Sequence, residues 1–225
     1  MRSWLPVLAA VVLLAGCSQT VDGRSQPVKL TPLPSASKHP PPSPAPTAPP
    51  TPPAPGAPIE DVVAWIQAGD PVDTGAFHTA TRDGTETQLG DDVGFVTPSG
   101  KTQCMTFAEY SDALMCLVKF THPPQRPPDF PTAWVGDWVD FDGASVSVGS
   151  PHGDPGPFTR GDGPELAYGK TLKFGDYQCR VDQVGLYCAN FAHQTAVKLS
   201  DAGVEPFGCL KSVAPAPDIG LQFSC

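Results

Sequence analysis

Apolar and polar positions follow two different periods after residue 58. In Ile59–Gln67 the apolar side chains recur at helical spacing, acids occupy the first turn and Gly69 follows, which predicts one short amphipathic helix. Beyond it, apolar runs separated by Gly, Pro and Asp predict strands over Phe77–Thr81, Val93–Thr97, Leu114–Phe120, Ala133–Val139, Ser145–Val148, Thr171–Phe174, Leu186–Phe191, Thr195–Leu199 and Leu221–Phe223. This pattern predicts a mainly β fold, either an antiparallel β-sandwich or an open barrel, with one short N-terminal helix.

A separate apolar run, Leu5–Leu14, stands at the N-terminus and ends in Leu14-Ala15-Gly16-Cys17. The run is too short to cross a bilayer as a helix, and polar residues follow it. Small residues directly before a cysteine are typical of a lipoprotein signal, so we expect residues 1–16 to be removed and Cys17 to be acylated. Membrane lipid would then hold the protein on the extracytoplasmic face of the cell membrane. An ordinary secretory signal is the alternative.

Proline dominates the segment that follows. Fourteen of the 29 prolines lie between Pro27 and Pro58, among Ser, Thr and Ala. Such a segment buries too little apolar surface to fold, and its prolines favour an extended conformation. We therefore predict a lipidated Cys17 and a disordered proline-rich stalk over residues 17–58, and a single extracytoplasmic β-domain over residues 59–225.

The predicted domain is strongly acidic. It holds all but one of the 23 Asp and Glu residues and all but four of the 14 Lys and Arg residues, so its net charge is close to −12. Nucleic acids and anionic lipid headgroups bind basic surfaces, so we expect no nucleic-acid partner. A cationic ligand is compatible with this charge but is not implied by it.

Six cysteines remain after Cys17, and an even number in an extracytoplasmic domain predicts disulfides. Of the fifteen pairings that six cysteines allow, we favour the sequential set: Cys104–Cys116, Cys179–Cys188 and Cys209–Cys225. The first two pairs each flank one predicted β-hairpin, and closing such loops contributes roughly 3 kcal/mol per bridge. Zinc binding is the alternative, but no C-x-x-C is present.

The two predicted hairpins resemble each other. Each consists of a strand, a turn with Gly, the dipeptide Gln-Cys, a polar tip and Leu-x-Cys, first over Gly94–Cys116 and again over Leu172–Cys188. The match is short, and coincidence is the alternative. A duplication would predict two related β-units that share one core.

The sequence contains no complete catalytic or metal-binding motif. The segment Gly149-Ser150-Pro151-His152-Gly153 resembles the nucleophile motif G-x-S-x-G without matching it. Asp140-x-Asp142-Gly143 has only part of a calcium loop. We expect no metal and no cofactor, because the histidines of the domain are not spaced as metal ligands: His78, His122, His152 and His193.

Trp134 and Trp138 form the candidate binding face. They are four residues apart in a predicted strand, and a regular strand places both side chains on one face. Paired aromatic rings on one face provide a platform for a sugar or a peptide. Packing in the core is the alternative for both residues.

A resemblance to a known family lies in four segments, Asp91–Gly100, Trp138–Gly143, Gly153–Phe158 and Glu205–Cys209. Together with the N-terminal signal and the stalk, they are similar to the Lpp class of lipoproteins of mycobacteria and related actinobacteria. The resemblance covers most of residues 59–225 and implies a membrane-anchored protein of the cell envelope. It implies no activity and no functional residue beyond Cys17.

The arrangement of anchor, stalk and domain predicts a non-enzymatic binding or structural ectodomain, with a small molecule, a glycan or another envelope protein as partner. Two alternatives stay open. One is a cell-envelope hydrolase whose site is assembled from dispersed Asp, Glu and His residues, with converging titratable groups. The other is an accessory subunit of an envelope protein complex, which would expose a large apolar patch.

Overall fold

The structure is a computed structural model that describes residues 51–109, 111–128, 130–131 and 133–225, and of Asp112 the backbone only. Cys17 and the stalk before residue 51 lie outside these residues. Within the described residues the chain forms one α-helix, α1 (Ile59–Gln67), and fifteen strands: β1 (Asp70–Pro71), β2 (Thr79–Arg82), β3 (Thr85–Gln88), β4 (Gly94–Val96), β5 (Thr102–Phe107), β6 (Ser111–Val118), β7 (Trp134–Phe141), β8 (Ser145–Pro151), β9 (Lys170–Phe174), β10 (Tyr177–Asp182), β11 (Gly185–Asn190), β12 (Thr195–Ser200), β13 (Gly203–Phe207), β14 (Lys211–Val213) and β15 (Leu221–Ser224).

Two sheets and one separate hairpin account for these strands. Sheet I has the order β14-β15-β8-β7-β6-β5-β4, sheet II has the order β1-β9-β10-β11-β12-β13, and β2 and β3 form a separate two-stranded hairpin. Neighbouring strands are antiparallel except for the short parallel pair β1–β9. Neither sheet closes into a barrel. The predicted fold class, mainly β with one short helix, is confirmed, and the sandwich is the form that it takes.

One apolar core lies between the two sheets. Alternate residues of strands β4 to β12 and of β15 face it, in keeping with the two-residue period of a strand. In sheet I, Cys116 and Val139 belong to this core, and in sheet II it includes Cys188 and Val197. The shared core makes the domain a two-layer sandwich.

The disulfides occupy equivalent positions in the two sheets. Cys104 pairs directly with Cys116 across β5 and β6, and Cys179 pairs with Cys188 across β10 and β11. The rows that contain them correspond strand by strand, Phe95–Cys104–Cys116–Val139 in sheet I and Leu172–Cys179–Cys188–Val197 in sheet II. The three bonds are Cys104–Cys116, Cys179–Cys188 and Cys209–Cys225, so the predicted pairing is confirmed.

Helix α1 covers the outer face of sheet II. Its apolar side, with Trp65 and Ile66 fully buried, packs on the outward side chains of β11, β12 and β13. The Arg180 guanidinium lies over the Trp65 ring, 3.9 Å from the ring centroid. Contacts with the sheet begin before the helix, because the Tyr187 hydroxyl donates to the Pro53 carbonyl at 3.1 Å.

Part of the outer face of sheet I is covered by a hairpin and a 3₁₀ turn. The β2–β3 hairpin and a 3₁₀ turn at Gly156–Arg160 pack against Met105, Met115 and Trp138 through Ala80, Leu89 and Phe158. Part of this face, along β6, β7 and β8, stays open and is described below. In the described part of the chain, no helix has both the length and the apolar composition needed to cross a membrane.

Candidate functional site

A cleft of about 690 Å³ opens at one end of the sandwich, where turns of both sheets meet. Because successive strands run antiparallel, alternate turns return to the same end of the molecule. Sheet I contributes the segment before β4 and the β5–β6 and β7–β8 turns, and sheet II contributes the β9–β10 and β11–β12 turns. We call this space the end cleft. Its polar lining includes Asp91, Asp92, Asp142, Asp176, Asn190 and His193.

Two stacked aromatic rings form the apolar part of the end cleft. Phe174 and Tyr177 flank the β9–β10 turn, with ring centroids 5.7 Å apart. Both residues are more than nine-tenths buried. The Tyr177 hydroxyl donates to the Phe141 carbonyl of sheet I at 2.8 Å, so this ring also connects the two sheets. The apolar lining is therefore held rigidly before any ligand arrives.

Four carboxylates line the end cleft, and they are not equivalent. Asp92 is engaged by the protein: it accepts hydrogen bonds from Arg160 Nη1 at 2.9 Å and from the Ala108 amide at 2.9 Å. Asp142 accepts from the amide and the hydroxyl of Ser145. Among the described residues, no cationic side chain forms an ion pair with Asp91, Asp142 or Asp176. The end cleft thus carries uncompensated negative charge.

The β7–β8 and β11–β12 turns are fixed to each other across the mouth of the sandwich. The Thr195 hydroxyl donates to the Gly143 carbonyl at 2.6 Å and so connects the two turns. Within the β11–β12 turn, Asn190 Oδ1 accepts from the His193 amide at 3.1 Å. Gly143 has φ +92° and lies so close to Asn190 that a Cβ there would be 2.6 Å from its Cγ. Only glycine satisfies both the backbone angle and the close approach.

A second feature lies on the open part of the outer face of sheet I. The Ser150 Oγ and the His152 Nε2 are 2.9 Å apart at the end of β8. The His152 ring stacks on the Trp138 indole with centroids 3.4 Å apart, and the Trp138 Nε1 donates to Asp140 Oδ1 at 2.8 Å. Four side chains are therefore joined in the order serine, imidazole, indole and carboxylate.

Two cavities flank this serine–histidine pair. An apolar cavity of about 350 Å³ contains Phe107, Met115, Trp138 and Pro157 in its lining and reaches His152. A polar groove of about 330 Å³ contains Ser111, Ser145, Ser147, Ser150 and Asp218 and also reaches His152. The imidazole lines both spaces.

Burial shifts the pKa values of two side chains in this second site, His152 and Asp140. It lowers the pKa of His152, against the opposing influence of Asp154. It raises the pKa of Asp140, although the hydrogen bond from Trp138 acts in the other direction. A histidine with a lowered pKa is neutral at neutral pH, and in the tautomer with its proton on Nδ1 the Nε2 atom accepts a proton.

The two tryptophans of the candidate binding face do not share one surface. Trp138 is 2% exposed and belongs to the buried cluster on the outer face of sheet I, whereas the Trp134 indole donates to the Pro124 carbonyl. The register of β7 against β8 shifts between Val135 and Val139, and Val135 packs on the cluster that contains Trp138. The irregularity breaks the strand rule on which the shared face was predicted.

The histidines of the domain lie at separate places. His193 lines the end cleft, His152 lies beside Ser150, and His78 Nδ1 is 2.8 Å from the Asp92 carbonyl oxygen. No group of three or more His, Cys, Asp or Glu side chains that could hold a metal ion occurs in the part of the chain that the structure describes.

Comparison of the chain with protein-family models, with curated proteins and with solved structures finds no match in any of the three. The structure defines a disulfide-linked two-sheet β-sandwich with an acidic cleft at one end and a serine–histidine pair on one outer face.

The sequence did not predict the end cleft, and it marked Ser150 and His152 only as part of an incomplete G-x-S-x-G motif. The residues of the end cleft are distant in the chain and meet only through the order of the strands, so no local motif marks them. The serine–histidine pair has a weak local signal, because Ser150 in β8 and His152, directly after the end of β8, are only two residues apart. The missing information was the pairing of β7 with β8, which places Trp138 and Asp140 of β7 beside His152.

Proposed function

We propose that the protein is a lipid-anchored protein of the cell envelope whose β-domain binds a small ligand in the end cleft. The anchor is Cys17, and the acyl chains on it would hold the domain at the extracytoplasmic face of the membrane. This part of the proposal rests on the N-terminal sequence and on the resemblance to Lpp-class lipoproteins.

The observation that carries the binding proposal is the uncompensated carboxylate set in a preformed cleft. A volume of about 690 Å³ lies in the range of pockets that hold small molecules. Asp91, Asp142 and Asp176 favour a ligand with at least one positive charge, and the buried Asn190 and the stacked rings offer hydrogen-bonding and apolar contacts. The ligand class is a small cationic molecule with an apolar or ring portion.

The rigid surroundings of the end cleft favour binding. The Cys104–Cys116 disulfide, the Thr195–Gly143 hydrogen bond and the Tyr177–Phe141 hydrogen bond all fix turns that line it. A site whose shape exists before binding has a smaller entropic cost of association. This geometry suits a carrier or a sensor better than a spacer.

The experiment that tests the proposal is native mass spectrometry of the full chain, extracted in mild detergent from the envelope of an actinobacterial host. The native mass is compared with the mass after denaturation. Additional mass that is lost on denaturation and is identified as a cationic small molecule supports the proposal. A native mass equal to the denatured mass, at natural abundance and after incubation with an extract of small molecules from the same cells, contradicts it.

A further inference from the structure

The serine–histidine pair on the outer face of sheet I has the geometry of a nucleophile with its general base. We propose that Ser150 attacks carboxylic esters and that His152 accepts its proton. The 2.9 Å separation of Ser150 Oγ and His152 Nε2 is within the range required for direct proton transfer. This activity is separate from ligand binding in the end cleft and does not depend on it.

The orientation of the base is fixed by the indole of Trp138. In a nucleophile–base pair, a third group holds the imidazole in place and stabilises the positive charge that it acquires. Here the stacked indole holds the ring, and its π face favours an imidazolium. Asp140 fixes the indole in turn, because it accepts the Trp138 N–H at 2.8 Å. Trp138 and Asp140 are therefore positioning residues.

The protonation state of His152 agrees with this role. Burial lowers its pKa, so the ring is neutral at neutral pH. With its proton on Nδ1, the ring accepts the Ser150 hydroxyl proton on Nε2. The Asp154 carboxylate favours the charged form of the ring and so stabilises the imidazolium once it has formed.

The two cavities define the substrate class. The apolar cavity suits a hydrocarbon group, and the groove with its serine hydroxyls suits a hydroxylated or polar group. They meet at His152, so a bond that joins one group to the other passes beside Ser150. The structure points to an ester between an apolar acyl group and a polar alcohol.

The reaction takes place in two balanced steps. In the first, a bond forms between Ser150 Oγ and the carbonyl carbon while the ester C–O bond breaks, and the Oγ proton moves to His152 Nε2 and then to the departing alcohol. In the second, water attacks the acyl-serine, gives a proton to His152 and releases the carboxylic acid, and the proton returns to Ser150 Oγ. The net reaction consumes one ester and one water.

The test is covalent labelling of the full-length protein with an alkyl fluorophosphonate, followed by intact-mass measurement and peptide mapping. In labelling, the P–F bond breaks as a P–O bond to the serine forms, and fluoride leaves. We expect one adduct, mapped to Ser150, in the wild-type protein. An unlabelled protein, or an adduct mapped to another residue, overturns the proposal without any variant having to fold.

Matched variants then assign the roles. S150A should abolish labelling and hydrolysis of p-nitrophenyl butyrate, and H152Q should slow both at least 100-fold. S212A is the control, because Ser212 is exposed in β14 and lines neither cavity, and its rates should equal those of the wild type. Labelling or hydrolysis that persists in S150A overturns the proposal.

The positioning role of Asp140 needs a readout other than the rate. D140L should lower kcat and shift the midpoint of the kcat–pH profile, because leucine provides no acceptor for the Trp138 N–H and the indole is no longer fixed beside the base. D91N/D176N should not alter labelling, so a failure of the end-cleft proposal is distinguishable from a failure of this one. A profile for D140L identical to that of the wild type contradicts the role of Asp140.

Discussion

The Asp92 carboxylate and the Arg160 guanidinium form an ion pair at 2.9 Å between residues that are 68 positions apart in the chain. The pair connects the 3₁₀ turn at Gly156–Arg160 to the segment that lines the end cleft. Arg160 also lies over the Phe107 ring, 4.6 Å from its centroid. The ion pair therefore connects the 3₁₀ turn on the outer face of sheet I to the lining of the end cleft.

Breaking this ion pair should destabilise the domain more than breaking an exposed one. D92N leaves Arg160 without its counter-charge in a partly buried position, and we expect a loss of about 2–3 kcal/mol in the free energy of unfolding. K101M removes the ion pair with Asp201, in which both side chains are about half exposed, and should cost about 0–1 kcal/mol. Urea denaturation measures both values. Equal losses would contradict a larger contribution of the Asp92–Arg160 pair to the free energy of unfolding.

The two equivalent disulfides should contribute equally to stability. C104A/C116A and C179A/C188A remove bonds that close loops of similar length in corresponding rows of the two sheets. The chain-entropy relation gives a loss of roughly 3 kcal/mol for each. Thermal unfolding of the two double variants tests this. A difference above about 2 kcal/mol would contradict the equivalence of the two β-units.

Tyr187 should make the domain less stable at alkaline pH. Burial, reinforced by Glu205 and Asp182, raises the pKa of Tyr187 to about 12 in the folded protein, whereas the unfolded value is about 10. The unfolded state therefore loses its proton first, so the stability from this residue is complete below pH 10 and declines as the pH rises towards 12.

Urea denaturation at pH 8 and pH 11 tests the role of Tyr187. Between these values, the stability advantage of the wild type over Y187F should shrink by about 1 kcal/mol. Y168F is the control, because Tyr168 is 43% exposed. Parallel pH dependence of the wild type and Y187F would contradict the assignment.

The anchor proposal predicts that Cys17 alone determines membrane attachment. In an actinobacterial host fed an alkyne-labelled fatty acid, the wild-type protein should carry the label and partition into detergent. C17S should carry no label and partition into the aqueous phase. A wild-type protein without label, or a C17S protein that keeps it, would contradict lipidation at Cys17.

Local patterns in the sequence predicted the helix and most of the strands, but they did not predict the sites. The helix over Ile59–Gln67 and the two disulfide-linked hairpins were predictable, because helical spacing and cysteines opposite each other in a hairpin are local signals. Strand β3 and the edge strands β1, β13 and β14 were missed. They are short, and β13 contains Pro206. Strand propensity is a weak predictor for short edge segments, because it depends on the surrounding structure.

The sites depend on relationships that no local pattern contains. Asp91 and Asp176 reach the same cleft because their turns lie at the same end of different sheets. The irregularity between Val135 and Val139 separates Trp134 from Trp138, and nothing in the sequence of β7 marks it except Gly136. The stacking of His152 on Trp138 could not be predicted, because it depends on the pairing of β7 with β8.

The most direct measurement compares ligand retention by cleft and control variants in native mass spectrometry of the full chain. D91N/D176N removes two negative charges from the end cleft, and D83N/E86Q removes two from the exposed β2–β3 hairpin. We expect the wild type and D83N/E86Q to retain the same small cationic molecule, and D91N/D176N to retain it at no more than a tenth of that occupancy. Equal retention by all three proteins, or none by the wild type, would contradict binding in the end cleft.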